Sequence, residues 1–466
     1  MILEQHYLDC LAQASYFIAD REAGLAVVVD PRRDVDLYVE RAEELGVRIT
    51  HVLLTHFHAD FLAGHVELAA RTGATLHLGA RAQADYAFEP MAEGGELTLG
   101  RVQLRFLETP GHTPESVSIL VFDLEESDTD PHAVLTGDTL FIGDVGRPDL
   151  MASVGLTAQE LAAMMYDSLR DKLLALPDAT IVYPGHGAGS ACGKNLSSET
   201  SSTIGAQRAN NYALQDMPKS EFVELVSSNL APPPAYFPAT AMRNRQQRST
   251  LGEVLERSLK PMSLEELIAA RSRGAQILDV RPADAFRVRH LAGSLNIGLD
   301  GKFASWAGTV LDLERPIVLV AEPGDEHQAA LRLGRIGIDR VAGFLAGGPQ
   351  SLPSDRASLG SVDQVDVTRA AKEAADGVVL DVRTPTEFEG GHVEGAINLP
   401  LAQLGARLDE VPTDGRVFVH CKSGYRSMVA VSLLQAHGFR GLVDVAGGFD
   451  AWVEADQPVV GATTCE

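Results

Sequence analysis

A chain of 466 residues with 45% hydrophobic and 22% charged residues has globular composition and is too long for one ordinary domain, so two to four are expected. Its formal charge of −25 argues against a nucleic-acid partner, since no basic stripe is available to meet phosphates, and any anionic substrate needs a local cationic pocket. Four scattered cysteines (Cys10, Cys192, Cys421 and Cys465) form no disulfide framework and suit a reducing compartment, and no apolar run approaches the length of a membrane span.

The opening Met-Ile-Leu-Glu-Gln-His-Tyr carries no basic region followed by an apolar core, so no secretory leader and a cytoplasmic location are expected. Ala26 to Val29 reads as a strand ending at Asp30-Pro31, and Asp34 to Gly46 as an amphipathic helix closed by glycine. His51 to Leu54 is a short apolar strand running into Thr55-His56-Phe57-His58-Ala59-Asp60-Phe61. Imidazole and carboxylate donors crowded at a strand end place nitrogen and oxygen around one point, as a zinc or iron site requires. Val102 to Leu107, Val117 to Phe122 and Ala133 to Thr136 read as further strands. Thr157 to Glu160 is a capping box opening a helix with Leu161, Met165, Leu169 and Leu173 on one face. Three more loops carry suitable donors: Thr109-Pro110-Gly111-His112, Thr136-Gly137-Asp138 and Tyr183-Pro184-Gly185-His186. Strands bunched between helices, with such loops gathered at one edge, predict a layered α/β domain.

These four loops in this order resemble the metallo-β-lactamase superfamily, and the resemblance implies an αββα sandwich over residues 1–240. Its first loop normally ends Asp-His, the histidine serving a second metal, whereas this chain has Phe61 there. That departure disfavours the two-metal hydrolases, including zinc thioester hydrolases of the glyoxalase II type, which remain the alternative. It is similar instead to the persulfide dioxygenases. That similarity implies one Fe(II) per chain held by His56, His112 and Asp138, with His58, Asp60 and His186 close by but unbound. Two histidines and one carboxylate also match the facial triad of non-haem iron, which leaves positions for a persulfide anion and O2. The implied products are thiol and sulfite. The segment Phe141 to Leu150 resembles the stretch after the aspartate ligand in that family. Arg147 and Arg208 are candidates for gripping a carboxylate or phosphate of the thiol carrier through their guanidinium forks. Cys192 matches a cysteine of multidomain relatives and is a candidate relay for sulfane sulfur.

Ala231 to Pro238 is proline-rich and marks the exit from this domain, and 241–260 is expected to be a linker, helical in part over the polar stretch Asn244 to Ser258. A repeat follows. Ile277-Leu278-Asp279-Val280-Arg281 continues through Phe286, His290, Gly293 and Asn296, and Val379-Leu380-Asp381-Val382-Arg383 through Phe388, His392, Gly395 and Asn398. Each copy, 261–357 and 358–466, closes near a Gly-Gly pair and resembles the rhodanese domain, a small doubly wound α/β unit. In the second copy the strand Val417 to His420 meets Cys421-Lys422-Ser423-Gly424-Tyr425-Arg426 and then a helix. Such a loop forms an anion nest whose N–H groups and cations favour a thiolate. The resemblance makes Cys421 the carrier of sulfane sulfur, with Arg426 beside it and Lys422, Ser423, Gly424 and Tyr425 as substrate contacts. Phosphatases with a Cys…Arg nest on this fold place five residues between the two. Here there are four, a tighter cradle that favours sulfur over phosphate. The first copy reads Val320-Ala321-Glu322-Pro323-Gly324-Asp325-Glu326, without cysteine and with acids that repel anions, so it is expected to be silent. The whole implies a persulfide dioxygenase fused to a sulfurtransferase. Its partners are a low-molecular-weight persulfide (of glutathione, coenzyme A or bacillithiol type), O2 and sulfite, with neither nucleic acid nor membrane, in a homo-oligomer (dimer or tetramer).

Overall fold

The computed structural model describes residues 1–150, 155–354, 356–374 and 377–461, so Cys465 lies outside them. They divide into two compact units, Met1–Val254 with Gly334–Gly337, and Leu255–Leu333 with Ile338–Glu466.

The first unit contains two six-stranded sheets. One holds β1 (Ile2–Leu8), β2 (Gln13–Asp20), β3 (Leu25–Val29), β4 (Arg48–Leu53), β5 (Thr75–Gly79) and β6 (Glu89–Met91) in that order. The other holds β7 (Glu96–Leu99), β8 (Val102–Glu108), β9 (Val117–Asp123), β10 (Ala133–Gly137), β11 (Ile181–Pro184) and β12 (Ser202–Thr203), again in sequence order across the sheet. Both faces of the central strands are buried, so their side chains divide by parity. In β2, Tyr16 and Ile18 share a core with Ile119 and Leu135 of the opposite sheet, whereas Phe17 and Ala19 pack outward with Tyr38 and Ala42 of the helix Asp36–Leu45. In β9, Ile119 and Val121 face inward while Leu120 and Phe122 meet Met165, Leu169 and Phe222. Helix, sheet, sheet, helix is therefore the layer order, as the resemblance implied.

The expected capping box is present. Thr157 and Glu160 exchange side-chain and backbone hydrogen bonds at the start of the helix Ala158–Asp167. Helix Phe237–Asn244 runs into the segment expected as a linker, and helix Leu251–Ser258 lies within it. Among the described residues no helix is long and apolar enough to cross a membrane.

The second unit holds two parallel five-stranded sheets of identical strand order. In the first copy Pro261–Met262, Val341–Leu345, Ile317–Val320, Gln276–Asp279 and Leu295–Asn296 lie side by side. In the second, the matching order is Asp363–Val365, Leu442–Val445, Val417–His420, Val378–Asp381 and Ile397–Asn398. The residues that carry the sequence repeat turn out to be its skeleton. Arg281 forks onto Asp279 and Arg383 onto Asp381, each with a 2.6 Å contact. Asn296 and Asn398 each donate to two backbone carbonyls of that same Asp-x-Arg turn. Phe286 stacks on His290 and Phe388 on His392, both at 3.7 Å between ring centres.

Candidate active sites

The first site lies where strand ends of both sheets of the first unit converge. His56, His58 and Asp60 follow β4, His112 follows β8, Asp138 follows β10 and His186 follows β11; all six are buried. The structure gathers them into two adjoining groups. One is His56, His112 and Asp138, and the other is His58, Asp60 and His186, with donor atoms inside each group within 4.8 Å of one another. Cys192 joins Asp138 and His186 in a third such grouping.

The first group fits a metal ion. His112 Nδ1 donates to the carbonyl of Arg147 at 2.9 Å, which leaves the Nε2 lone pair facing inward. For His56 the same result comes through a relay. Thr55 Oγ1 donates to Asp30 Oδ2 at 2.7 Å and so must accept from His56 Nδ1 at 2.9 Å. Nε2 of His56 and of His112 then stand 3.8 and 3.5 Å from Asp138 Oδ2. Donors held about 2.1 Å from one ion lie about 3 to 3.5 Å apart, so each imidazole stands within tenths of an ångström of that spacing from the carboxylate. Burial holds both imidazoles below their ordinary pKa, hence neutral. Asp138 is lowered instead: burial alone would raise it, but the histidines around it outweigh that. Neutral nitrogens and an ionised carboxylate are the states a metal requires.

The second group is differently disposed. His186 donates from Nδ1 to Asp138 Oδ1 and from Nε2 to Asp60 Oδ2, both at 2.8 Å. Burial opposes a charge there, but the two carboxylates overcome it and raise its pKa well above the ordinary value. A ring donating at both nitrogens has no lone pair to offer a metal. Phe61 is buried, its ring 4.4 Å from that of His58 and 6.4 Å from that of His186. A phenyl ring thus stands against this group and supplies no donor.

The other expected residues fare unevenly. Arg147 is buried and forks onto Asp149, with further bonds to the carbonyls of Ala191 and Ala231, so its guanidinium is engaged within the fold. Its visible contribution is the carbonyl that orients His112, not a substrate grip. Arg208 is exposed and held by Asp178 and the Leu174 carbonyl. Cys192 is buried, and burial, with Asp60 and Asp138 nearby, pushes its thiol well above the ordinary value. It stands as a protonated neighbour of Asp138. The sequence reading missed two residues that shape the site. One is Asp30, whose Oδ1 also accepts from the Thr55 N–H at 2.8 Å and lies 3.0 Å from His58 Nε2. The other is Asn244, placed in the expected linker, which donates to the His58 and Phe61 carbonyls, both at 2.8 Å, and accepts from the Ala63 N–H. A polar residue after a valine strand and an asparagine beyond a proline-rich stretch give no local signal of these duties.

The second site is the loop after Val417–His420. Cys421 is buried, and its Sγ accepts from the Gly424 N–H at 3.1 Å. Gly424 has φ +107°, which an L side chain rarely adopts, and it opens the helix Tyr425–Ala436. Lys422 and Ser423 are exposed beside it. The Tyr425 hydroxyl donates to the Gly298 carbonyl at 2.8 Å, so that group is engaged with the first copy of the repeat and not presented to a substrate. Arg426 forks onto Glu387 with two 2.7 Å bonds. In the first copy Ala321 stands at the cysteine position, and the Gly324 N–H donates to Glu326 Oε2 at 2.8 Å. The amide that meets sulfur in one loop is thus capped by the loop's own acid in the other.

Comparison with known proteins finds matches to both parts of the chain. The metallo-beta-lactamase superfamily model matches residues 8–186, and the rhodanese-like domain model matches 263–351 and 364–455. Human mitochondrial persulfide dioxygenase ETHE1 is 29% identical over 242 residues, covering 50% of this chain and 84% of that protein. A hydroxyacylglutathione hydrolase of Rhodospirillum rubrum is 34% identical over 173 residues, covering 37% of this chain and 60% of the hydrolase. Among solved structures, a metallo-beta-lactamase of Staphylococcus aureus superposes with a TM-score of 0.65 at 29% identity, covering 74% of this chain and 98% of its own.

Proposed function

We propose that this chain, which carries a metallo-beta-lactamase superfamily domain over residues 8–186 and two rhodanese-like domains after it, is an iron(II) persulfide dioxygenase coupled to a sulfurtransferase. The observation that carries the first half is the donor set: two neutral imidazoles and one carboxylate converge, while the adjoining group is closed by a doubly donating His186 and the ring of Phe61. Ferrous iron bound by His56, His112 and Asp138 would supply redox chemistry with O2 that closed-shell zinc lacks. The chain's own residues fix the donors. Thr55 and the Arg147 carbonyl set the two histidine tautomers, and His186 holds Asp138 from behind. The net reaction is RSS⁻ + O2 + H2O giving RSH, sulfite and one proton, the small thiol RSH being of glutathione, coenzyme A or bacillithiol type.

The second half rests on Cys421. Its thiolate attacks a sulfane sulfur, expels the donor's leaving group and becomes Cys421–S–S⁻. Sulfite then takes the outer sulfur as thiosulfate and returns the thiolate. A reducing, cytoplasmic setting suits this chemistry. The local similarity to a hydroxyacylglutathione hydrolase favours one rival, a two-zinc thioester hydrolase with a sulfur-carrying appendage. Metal content separates the two. The proposed enzyme holds one iron per chain and consumes O2 with a persulfide, whereas two zincs with thioester cleavage and no O2 uptake would favour the rival. Cys421→Ser is expected to keep O2 uptake and lose thiosulfate; equal thiosulfate from both proteins rules out the role of Cys421.

A further inference from the structure

The duplication provides an internal comparison. In-register pairing of Asp279 with Val320 and of Asp381 with His420 aligns Ala321 with Cys421 and Glu326 with Arg426. The same alignment sets Ala285 against Glu387. The Asp-x-Arg fork, the Phe–His stack and the bridging asparagine occur in both copies and hold the fold. Cysteine, loop arginine and Glu387 occur only in the second.

Glu387 has two tasks in that copy. Its backbone and Oε2 complete a capping box with Thr384 at the start of the helix Pro385–Glu389. Both of its oxygens also grip Arg426, Oε2 on Nη1 and Oε1 on Nη2. Burial would raise this carboxyl, but the Arg426 and Thr384 hydrogen bonds prevail and lower it to about 2, so it is ionised throughout the working pH range. An end-on fork of this kind fixes the guanidinium plane and leaves Nε–H and the outer N–H groups for an anion.

Resting on the sulfurtransferase reading, we propose that Glu387 is a positioning residue for sulfur transfer: its carboxylate aims Arg426 at the anion that Cys421 attacks or releases. With thiosulfate as donor, the Cys421 thiolate bonds to the outer sulfur, the S–S bond to the sulfonate sulfur breaks, and sulfite leaves with that electron pair. Cyanide then takes the outer sulfur from Cys421–S–S⁻ as thiocyanate and regenerates the thiolate. Arg426 meets the sulfonate oxygens as charge builds on the departing sulfite.

The test is thiosulfate:cyanide transfer by the full-length protein, comparing wild type, Glu387→Gln and Asp366→Ala. Glu387→Gln keeps the shape and loses the charged fork. Its kcat is expected to fall about 10- to 100-fold, the scale of a misaimed group, with KM for thiosulfate unchanged or lowered because no carboxylate competes for Arg426. Asp366→Ala removes the N-cap bond to the Arg369 N–H at the start of the helix Val367–Glu373 and is expected to lower Tm while changing kcat less than twofold. Wild-type kcat in Glu387→Gln, or equal losses of kcat in both variants, overturns the positioning role. Combining Glu387→Gln with Arg426→Ala is expected to cost nothing beyond Arg426→Ala alone, and a further loss equally overturns it. A wild-type protein that forms no thiocyanate condemns the sulfurtransferase reading itself.

Discussion

Asp30 holds a left-handed backbone (φ +50°) although it is not glycine, a conformation that costs about 1–3 kcal/mol unless its surroundings over-determine it. They do. Its carbonyl accepts from Gln13 Nε2 at 2.8 Å, and its carboxylate takes both the N–H and the hydroxyl of Thr55. The strain is therefore held at the residue that sets the tautomer of His56. Removing a partner behind a metal ligand typically weakens the metal about 10- to 100-fold. Asp30→Ala is expected to lose metal affinity on that scale, read by competition with a chelator, while far-ultraviolet circular dichroism keeps its wild-type form. Unchanged affinity would show that the Thr55 relay does not orient His56. Arg147 illustrates the opposite lesson. Its charge drew attention to the side chain, yet the backbone carbonyl is what touches the site.

At the scale of elements, the Gly-Gly pairs are required by close approach. A Cβ on Gly448 would sit 2.5 Å from the Cys421 carbonyl oxygen and 2.7 Å from that of Lys422, and one on Gly348 would sit 2.3 Å from the carbonyl of Ala321. The turn presses against the loop, and the Phe449 and Asp450 N–H groups bind the Cys421 and Lys422 carbonyls at 2.8 and 2.9 Å. Gly448→Ala and Gly348→Ala are both expected to destabilise by about 1–3 kcal/mol, measured by denaturant unfolding, because each forces a methyl group onto backbone at positive φ. Only Gly448→Ala is expected to depress sulfur transfer by tenfold or more; an equal loss in Gly348→Ala would show that the first copy is not silent. Elements such as these were legible because their signals are local. The apolar run Val117 to Phe122 marks β9, Thr157–Glu160 is a capping box in both sequence and structure, and the repeat reveals itself by its own recurrence. The pairs Asp30–Thr55, Asn244–His58 and Arg426–Glu387 were not legible. Each joins residues far apart in the chain, and neither partner alone indicates the other. For the same reason, Arg208 and Tyr425 read as substrate contacts until their actual partners, Asp178 and the Gly298 carbonyl, were in view.

For the whole molecule, the proposed function joins in one chain an enzyme that makes sulfite and one that accepts it. A tether raises the effective concentration of one module near another. Sulfite is small and diffuses freely, however, so the advantage exists only before it accumulates in bulk solution. This distinction is measurable with full-length proteins. His112→Ala lacks a donor of the proposed metal set and Cys421→Ser lacks the sulfur carrier, so an equimolar mixture holds each activity once but never both in one chain. At nanomolar protein the mixture is expected to show a longer lag before thiosulfate appears than wild type at matched activity, and the two rates should converge once sulfite is plentiful. Added sulfite should abolish the difference. Identical lags without added sulfite would mean that covalent fusion secures equal supply of the two activities and nothing more. A lag that persists with sulfite in excess would place the coupling in the protein, since the free product could then no longer be the limiting species.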